Sequence, residues 1–346
     1  MPPIPTAADP LLRVRDLHVS FRMDEGTVRA VDGVSFDVYP GEVVGIVGES
    51  GCGKSVTMRA VLQLIDPPGR ITSGEILYRQ GATPIDLTRL PQRGRAMRAL
   101  RGAEIALIPQ EPMAAFSPVH TVGAQIIEAI MLHERQDGRP ISYAQARERI
   151  VELFNDVGIS MASQRIDAYS WQLSGGLRQR AMIAMALSCK PRLLIADEPT
   201  TAIDVTTQAQ ILALLRELQD KYRTAIIFIT HDLGVIAQMA NYVVVMYLGR
   251  IMEEGPVDNI FHAPMHPYTK ALLRSIPSLQ TETRAALPVI AGTLPHPFNR
   301  PSGCPFHPRC ENIMPAQCTS AVPALQSLGP RRAVSCFLHS DLAEPA

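Results

Sequence analysis

The chain has 346 residues, 33 Lys and Arg against 33 Asp and Glu, 46% hydrophobic and 19% charged residues. This is ordinary globular composition and excludes global disorder, while zero formal net charge removes the basic field of a general nucleic-acid binder. No window reaches about 18 uninterrupted apolar residues, so no transmembrane helix is expected, and the opening MPPIPTAADP lacks the basic and apolar regions of a secretory signal, which points to the cytosolic side.

The first ten residues, rich in Pro and Ala, read as a disordered tail. Between residues 11 and 47, short apolar runs alternate with turns: LLRVRDLHVSF, VRAVDGVSFDVY and EVVGIVG. The last run is nearly all apolar, as in a strand buried on both faces. A helix is expected from Lys54 through SVTMRAVLQLI to the break at Asp66-Pro67-Pro68. A strand follows at 105–109, and from about 124 to 156 the pattern turns helical. There Ile150, Val151, Phe154 and Val157 recur at three- and four-residue steps. A strand at 193–196, a helix at about 207–221 and a strand at 225–230 complete an α/β alternation around a largely parallel sheet. Residues 256–346 hold 14 of the 29 prolines. That density disfavours long helices and central strands, so the segment reads as a loop-rich extension needing another device to hold its shape.

Gly48-Glu-Ser-Gly-Cys-Gly-Lys54-Ser55 matches G-x-x-x-x-G-K-[ST] and stands between an expected buried strand and an expected helix. Glycines let successive N–H groups converge on phosphate oxygens, and the helix N-terminus adds a favourable dipole. The cradle is assigned to Gly48, Ser50, Gly51, Cys52, Gly53, Lys54, Ser55 and Val56, with the Cys52 thiol a small filler. Lys54 would reach the β- and γ-phosphates and the Ser55 hydroxyl would ligate Mg²⁺. Leu193-Leu-Ile-Ala-Asp197-Glu198 is an apolar strand ending in two acids. Asp197 suits the Mg²⁺ partner of such a loop, and Glu198 is placed to polarise an attacking water.

Further along, Leu173-Ser-Gly-Gly-Leu-Arg-Gln179 resembles the signature of ABC-type ATPases, upstream of the acid-tipped strand as in that family. Gln110 resembles the Q-loop glutamine, a Mg²⁺ and water contact. Asp204 in Thr200-Thr-Ala-Ile-Asp resembles the D-loop, and His231 the switch histidine. The resemblance covers roughly residues 11–255 and implies a P-loop NTPase (RecA-like) α/β core with an antiparallel β subdomain and a helical insertion at about 112–172. It implies that two such domains face head to tail, with ATP between the loop of one and Ser174, Gly175 and Gly176 of the other. Glu198 is then the general base, His231 a γ-phosphate contact, and Gln179 part of the nucleotide-binding signature. Phe21 is the candidate to stack on adenine. Trp171, where relatives often carry a small polar residue or histidine, reads as packing, and Arg89, Arg93, Arg95, Arg98 and Arg101 as a solvated helix face.

The loop sequence, Ile108-Pro-Gln-Glu-Pro-Met, Asp204-Val-Thr-Thr-Gln-Ala-Gln, His266-Pro-Tyr-Thr-Lys-Ala-Leu-Leu and Gly303-Cys-Pro-Phe-His-Pro-Arg-Cys resemble the ATP-binding subunits of bacterial dipeptide/oligopeptide importers. Ile203, where leucine is common, is a small departure. Of six cysteines, Cys52 lies in the loop, Cys189 in an expected buried helix, and Cys304, Cys310, Cys318 and Cys336 in the extension at C-x5-C-x7-C-x17-C. Four thiolates suit Zn²⁺ or an iron–sulfur cluster, and the spacing does not decide. Relatives with this tail are implied to hold a [4Fe-4S] cluster there. His307 and His339 read as structural.

The resemblance implies an ATPase on the cytoplasmic face of the inner membrane. Its implied partners are two transmembrane permease subunits, a second related ATP-binding subunit (a heterodimer) and an extracytoplasmic substrate-binding protein, with no nucleic acid. Peptides are the implied cargo, with nickel chelates, opines or sugars as alternatives. A soluble ABC ATPase acting on DNA or ribosomes would bring long coiled coils, two cassettes or basic surfaces, none seen here, and the Leu173-Ser-Gly-Gly segment argues against a P-loop kinase.

Overall fold

The computed structural model describes residues 9–111, 115–136, 139–201, 203–276 and 290–342. Residues 1–8 of the expected ten-residue disordered tail, and positions 112 and 113 of the Ile108-Pro-Gln-Glu-Pro-Met segment, lie outside those residues, while Pro10, also expected in the tail, is buried. The chain opens with β1 (Leu12–Met23), β2 (Gly26–Val38), β3 (Val43–Val47), α1 (Lys54–Val61), β4 (Gly69–Tyr78) and β5 (Ile85–Asp86). The middle carries α2 (Arg95–Leu100), β6 (Ile105–Ile108), α3 (Val122–His133), β7 (Arg135–Gln136), β8 (Arg139–Pro140), α4 (Tyr143–Asp156), α5 (Ala162–Arg165), α6 (Gly175–Leu187), β9 (Leu193–Asp197), α7 (Val205–Tyr222) and β10 (Ala225–Ile229). There follow α8 (Leu233–Met239), β11 (Tyr242–Tyr247), β12 (Arg250–Pro256), α9 (Val257–His262), α10 (Pro267–Arg274), α11 (Pro315–Cys318), β13 (Gln326–Ser327) and β14 (Ala333–Val334).

The chain divides into two compact units. The first joins residues up to 38, 43–89 and 230 onward. It holds an antiparallel sheet in the order β2–β1–β4–β5. In β1 the buried residues Leu12 and Val14 are followed by Leu17 and Val19, a step of three that a flat strand would put on opposite faces. Register shifts between Val14 and Leu17, and Asp16 takes a positive φ of 43°, so a bulge returns both pairs to the core side. The same unit holds strands in the order β13–β14–β12–β11–β3. Every residue of β3 and β11 is buried, and the two pair in parallel, Val44 opposite Tyr242 and Val47 opposite Val245. Among the described residues, the proline-rich segment adds only short helices and the two-residue strands β13 and β14, the latter paired to Glu253 and Glu254 of β12. Its order comes from buried rings: Phe306 meets Tyr247 edge-on at 5.4 Å and Tyr268 at 5.2 Å.

The second unit joins residues 39–42 and 90–229. Its strands β6, β9 and β10 run parallel, with Leu193 between Ile105 and Ala225. Helix α4 starts in a capping box between Ser142 and Gln145 and buries Ala146, Ile150, Leu153 and Phe154. Leu153 takes the place that the sequence pattern gave to Val151: three residues beyond Ile150 lies on the buried face, one residue beyond lies about 100° around the helix. The expected buried helix at Cys189 is also corrected. Helix α6 ends at Leu187, and Cys189 sits half-buried before Lys190, which turns the chain at a φ of 51°. Trp171 does not pack in the core: it is 62% exposed and stacks on Tyr169 at 5.7 Å.

Candidate nucleotide site

The phosphate loop belongs to the first unit, between β3 and α1. Gly48 and Gly53 have positive φ angles of 151° and 102°. A Cβ on Gly48 would fall 2.2 Å from the Met246 carbonyl oxygen, and one on Gly53 2.3 Å from that of Ala30. Both positions therefore demand glycine on two counts. Gly51, at φ 78°, faces open space, and Ser50 is exposed. Lys54 is the first residue of α1, buried, and its Nζ donates to the carbonyls of Gly48 (2.7 Å) and Glu49 (3.1 Å). The Cys52 thiol is fully buried under this amine and burial pushes its pKa up, so it stays a neutral filler. Ser55 and Val56 lie half-buried on the first turn of α1.

Elsewhere in that unit, His231 is exposed in the turn before α8. The helix is capped by Asp232, which accepts from the N–H groups of Gly234 (2.8 Å) and Val235 (3.3 Å). Phe21 is half-buried on β1, its ring packed over Gly69, where a Cβ would come within 2.4 Å.

The second unit carries the acids and the signature. Asp197 ends β9 and is buried, while Glu198 turns the chain at a φ of 47°. Glu198 Oε2 accepts from Gln110 Nε2 at 3.1 Å and from Thr201 Oγ1 at 3.0 Å. The structure thus brings Gln110 and Glu198 together although 88 residues separate them. Ser174 caps α6 by accepting from Leu177 N–H at 3.4 Å, with Gly175 and Gly176 opening the helix. Among the described residues, no atom beyond its own helical turn lies within 4 Å of a Cβ built on Gly175. Gln179 is buried, its amide donating to the Pro199 carbonyl at 2.5 Å, a tie inside the unit. Asp204 caps α7, accepting from Thr207 N–H at 2.9 Å and Thr207 Oγ1 at 2.7 Å, and these bonds hold its carboxyl below the usual range.

Two residues outside the sequence assignment, Tyr268 and Arg309, grip the loop at Glu49 from the same unit. Glu49 N–H donates to Tyr268 Oη at 2.9 Å. The Glu49 carboxylate accepts from Arg309 Nη1 at 2.7 Å and Nη2 at 3.0 Å. Burial works against the charge on Arg309, but the bonds to Glu49 and Tyr247 outweigh it and raise its pKa. The only sequence signal for this contact was an arginine inside Cys304-Pro-Phe-His-Pro-Arg-Cys310.

The four cysteines of the extension are unbridged, three of them buried and Cys310 half-buried. Cys304 N–H donates to the Cys318 carbonyl at 2.8 Å. Burial, then the neighbouring Cys318, Cys336 and Cys310, push the Cys304 thiol up to about 11. Among the described residues, no group of three or more His, Cys, Asp or Glu side chains is arranged to hold a metal ion, so the expected four-thiolate seat is not ready-made. The donor set is nonetheless all soft sulfur, and burial followed by the neighbouring thiols opposes deprotonation of Cys304, Cys310 and Cys336, which is chemistry that a cationic centre relieves. His307 and His339 are structural: His307 Nδ1 lies 2.9 Å from the Cys304 carbonyl and His339 Nε2 3.1 Å from that of Met265. No helix among the described residues is long and apolar enough to cross a membrane.

Comparison with known proteins places this geometry. Residues 31–201 match the ABC transporter family, and residues 252–318 match the oligopeptide/dipeptide transporter C-terminal region. The chain is 47% identical over 337 residues to the dipeptide transport ATP-binding protein DppD of Bacillus subtilis, covering 97% of each chain. It is 47% identical to DppD of Escherichia coli, covering 96% of this chain and 97% of that one. To the oligopeptide transport ATP-binding protein OppD of Bacillus subtilis it is 46% identical, covering 96% and 90%. Among solved structures, the ATP-binding cassette MJ0796, a dimer in a post-hydrolysis state bound to ADP and Pi, shares the fold with a TM-score of 0.62. It is 24% identical and covers 71% of this chain and 98% of its own. The cbiO1 protein of Clostridium perfringens, part of the ABC transporter complex cbiONQ, gives a TM-score of 0.60 at 26% identity, covering 74% and 92%. The chain is an α/β P-loop NTPase and belongs to the ABC transporter family, among the ATP-binding proteins that carry the oligopeptide/dipeptide transporter C-terminal region.

Proposed function

We propose that the chain is the ATP-hydrolysing motor subunit of an importer for di- or oligopeptides, peripheral to the cytoplasmic face of the inner membrane. One observation carries the nucleotide reading. A loop whose first and last glycines, Gly48 and Gly53, have no room for side chains leads into a helix that begins with a buried lysine, a cradle built for phosphate. The peptide cargo rests on the activities named for the Bacillus subtilis and Escherichia coli relatives. In this reading residues 11–255 are the nucleotide-binding domain, about 112–172 its helical insertion, and 256–346 the extension.

Mg²⁺·ATP sits on Gly48, Ser50, Gly51, Cys52, Gly53, Lys54, Ser55 and Val56, with Phe21 against the adenine. Ser55, Asp197 and Gln110 would hold the metal, which when bound would supply positive charge to stabilise the transferring phosphoryl group. Glu198 accepts the proton of the attacking water, and His231 contacts the γ-phosphate. Ser174, Gly175 and Gly176 serve the nucleotide of a second, related subunit, with Gln179 and Asp204 setting that surface. The open space over Gly175 supports this role, since among the described residues nothing beyond its own helical turn comes within 4 Å of a side chain there. Closure of the pair on ATP is passed through Gln110 and the insertion to two permease subunits fed by an extracytoplasmic binding protein.

Cys304, Cys310, Cys318 and Cys336 would hold a [4Fe-4S] cluster, a cationic core that draws the protons off the four thiols and staples the proline-rich segment. Protein purified without oxygen should be brown, with about four irons and four sulfides per chain. Colourless protein with one zinc would assign the thiols to the alternative ion. For the motor, the test is proteoliposomes containing the chain with its permease partners. Uptake of labelled dipeptide that requires ATP hydrolysis supports the reading, and co-purification with ribosomes or DNA instead would replace it by a non-transport ATPase.

A further inference from the structure

Glu49 is a phosphate-loop residue to which the nucleotide reading gives no role, yet its carboxylate is held at two points. Its carboxylate meets Arg309 in a two-point pair at 2.7 and 3.0 Å, and the guanidinium side chain is only 4% exposed. Such a fork fixes distance and orientation together, which a single hydrogen bond does not. Arg309 is itself anchored, its Nε donating to the Ala291 carbonyl at 3.0 Å and its Nη1 reaching Tyr247 Oη at 3.3 Å. It ends a short turn at His307–Arg309, between Cys304 and Cys310. Phe306 on the same turn is buried against Tyr247 and Tyr268, and Tyr268 is the acceptor for Glu49 N–H.

We infer that Arg309 and Tyr268 are positioning residues for the phosphate loop: the cysteine-bearing segment 304–310 clamps the Gly48–Glu49 limb in its phosphate-ready shape. The inference rests on the reading that this loop binds nucleotide, and adds a dependence of nucleotide affinity on the C-terminal extension. A loop ordered beforehand spares the ordering entropy that a loose one surrenders on binding. The coupling is reciprocal, so nucleotide bound at the loop must tighten segment 304–310 in return.

The test uses the full chain and titrates it with Mg²⁺ and a non-hydrolysable ATP analogue. Arg309→Met and Glu49→Gln should each weaken binding about tenfold, and the double variant should be no weaker than the worse single. Arg309→Lys should recover part of the loss, because it restores the charge without the fork. Hydrogen exchange supplies a second readout. In the wild type the analogue should slow exchange across 304–310; in Arg309→Met it should slow exchange at the loop only. Affinities within about twofold of wild type, additive losses, or equal slowing of 304–310 in Arg309→Met would each overturn the clamp. Should Arg309→Met fail to fold, Arg309→Lys and Glu49→Gln carry the same comparison. If the wild type binds no nucleotide, the reading of the loop falls and the clamp with it; if the wild type binds and the variants match it, only the clamp falls.

Discussion

Glu198, the proposed general base, is held by its surroundings. It stands just beyond the last strand residue, at a φ of 47°, where a glutamate is rarely found. Two donors, Gln110 Nε2 and Thr201 Oγ1, converge on the same carboxylate oxygen and leave the other without a bond from either. Glu198→Gln is expected to keep Mg²⁺·ATP affinity while losing about 10²- to 10⁴-fold in phosphate release, the usual worth of a general base. Full turnover in that variant would remove Glu198 from the role. The motif made this residue legible, because an apolar strand ending in paired acids is a local pattern. Glu49, Tyr268 and Arg309 were not legible in the same way. Their contacts join positions 219 and 260 residues apart, and nothing in local spacing records such a partner.

At the scale of elements, patterning placed the strands and helices around the motifs but not their ends, and it passed over β4, β11 and β12. The helix expected to run from Lys54 to the prolines at 67 and 68 stops at Val61, and Gln63 follows with a φ of 53°. Helix α7 starts two residues earlier than the apolar pattern indicated, because Asp204 caps it. The bulge at Asp16 could not be read from alternation, since alternation is what it interrupts. Glycines in the loop are separable by the space around them. Gly53→Ala drives a methyl against the Ala30 carbonyl, so loss of nucleotide binding and a clearly lower melting temperature are expected. Gly51→Ala meets open space and bears only the backbone cost of its left-handed conformation, about 1–2 kcal/mol. Melting curves and nucleotide titration of the two variants should differ accordingly; equal effects would count against the steric account.

For the whole molecule, zero net charge leaves acid and base sensitivity to individual buried groups. Glu254 on β12 has one carboxylate oxygen buried with no hydrogen-bond partner among the described residues. Burial, then the nearby Asp37, push its pKa up to about 7 from an ordinary 4.5. Between those values the folded state binds more protons than the unfolded chain, so this group's contribution falls as pH rises from 4.5 to 7. The slope is at most about 1.4 kcal/mol per pH unit. Glu254→Gln should therefore raise the melting temperature at pH 8 and leave it unchanged near pH 4, where both side chains are neutral. A gain that is equal at both pH values would show that charge burial is not the cause.

The partners of the phosphate loop have a consequence for synthesis. Glycine 48 is seated against Met246, and Glu49 waits for an arginine 260 residues downstream. At roughly 5–20 residues per second, the ribosome emits the loop about 13–50 seconds before its clamp. A nascent chain thus carries every residue of the phosphate motif before Arg309 exists to pair with Glu49, and on the clamp proposed above full ATP affinity would arrive only once residue 309 has emerged. Assembly steps that require nucleotide are thereby postponed until the cysteine-bearing segment has emerged.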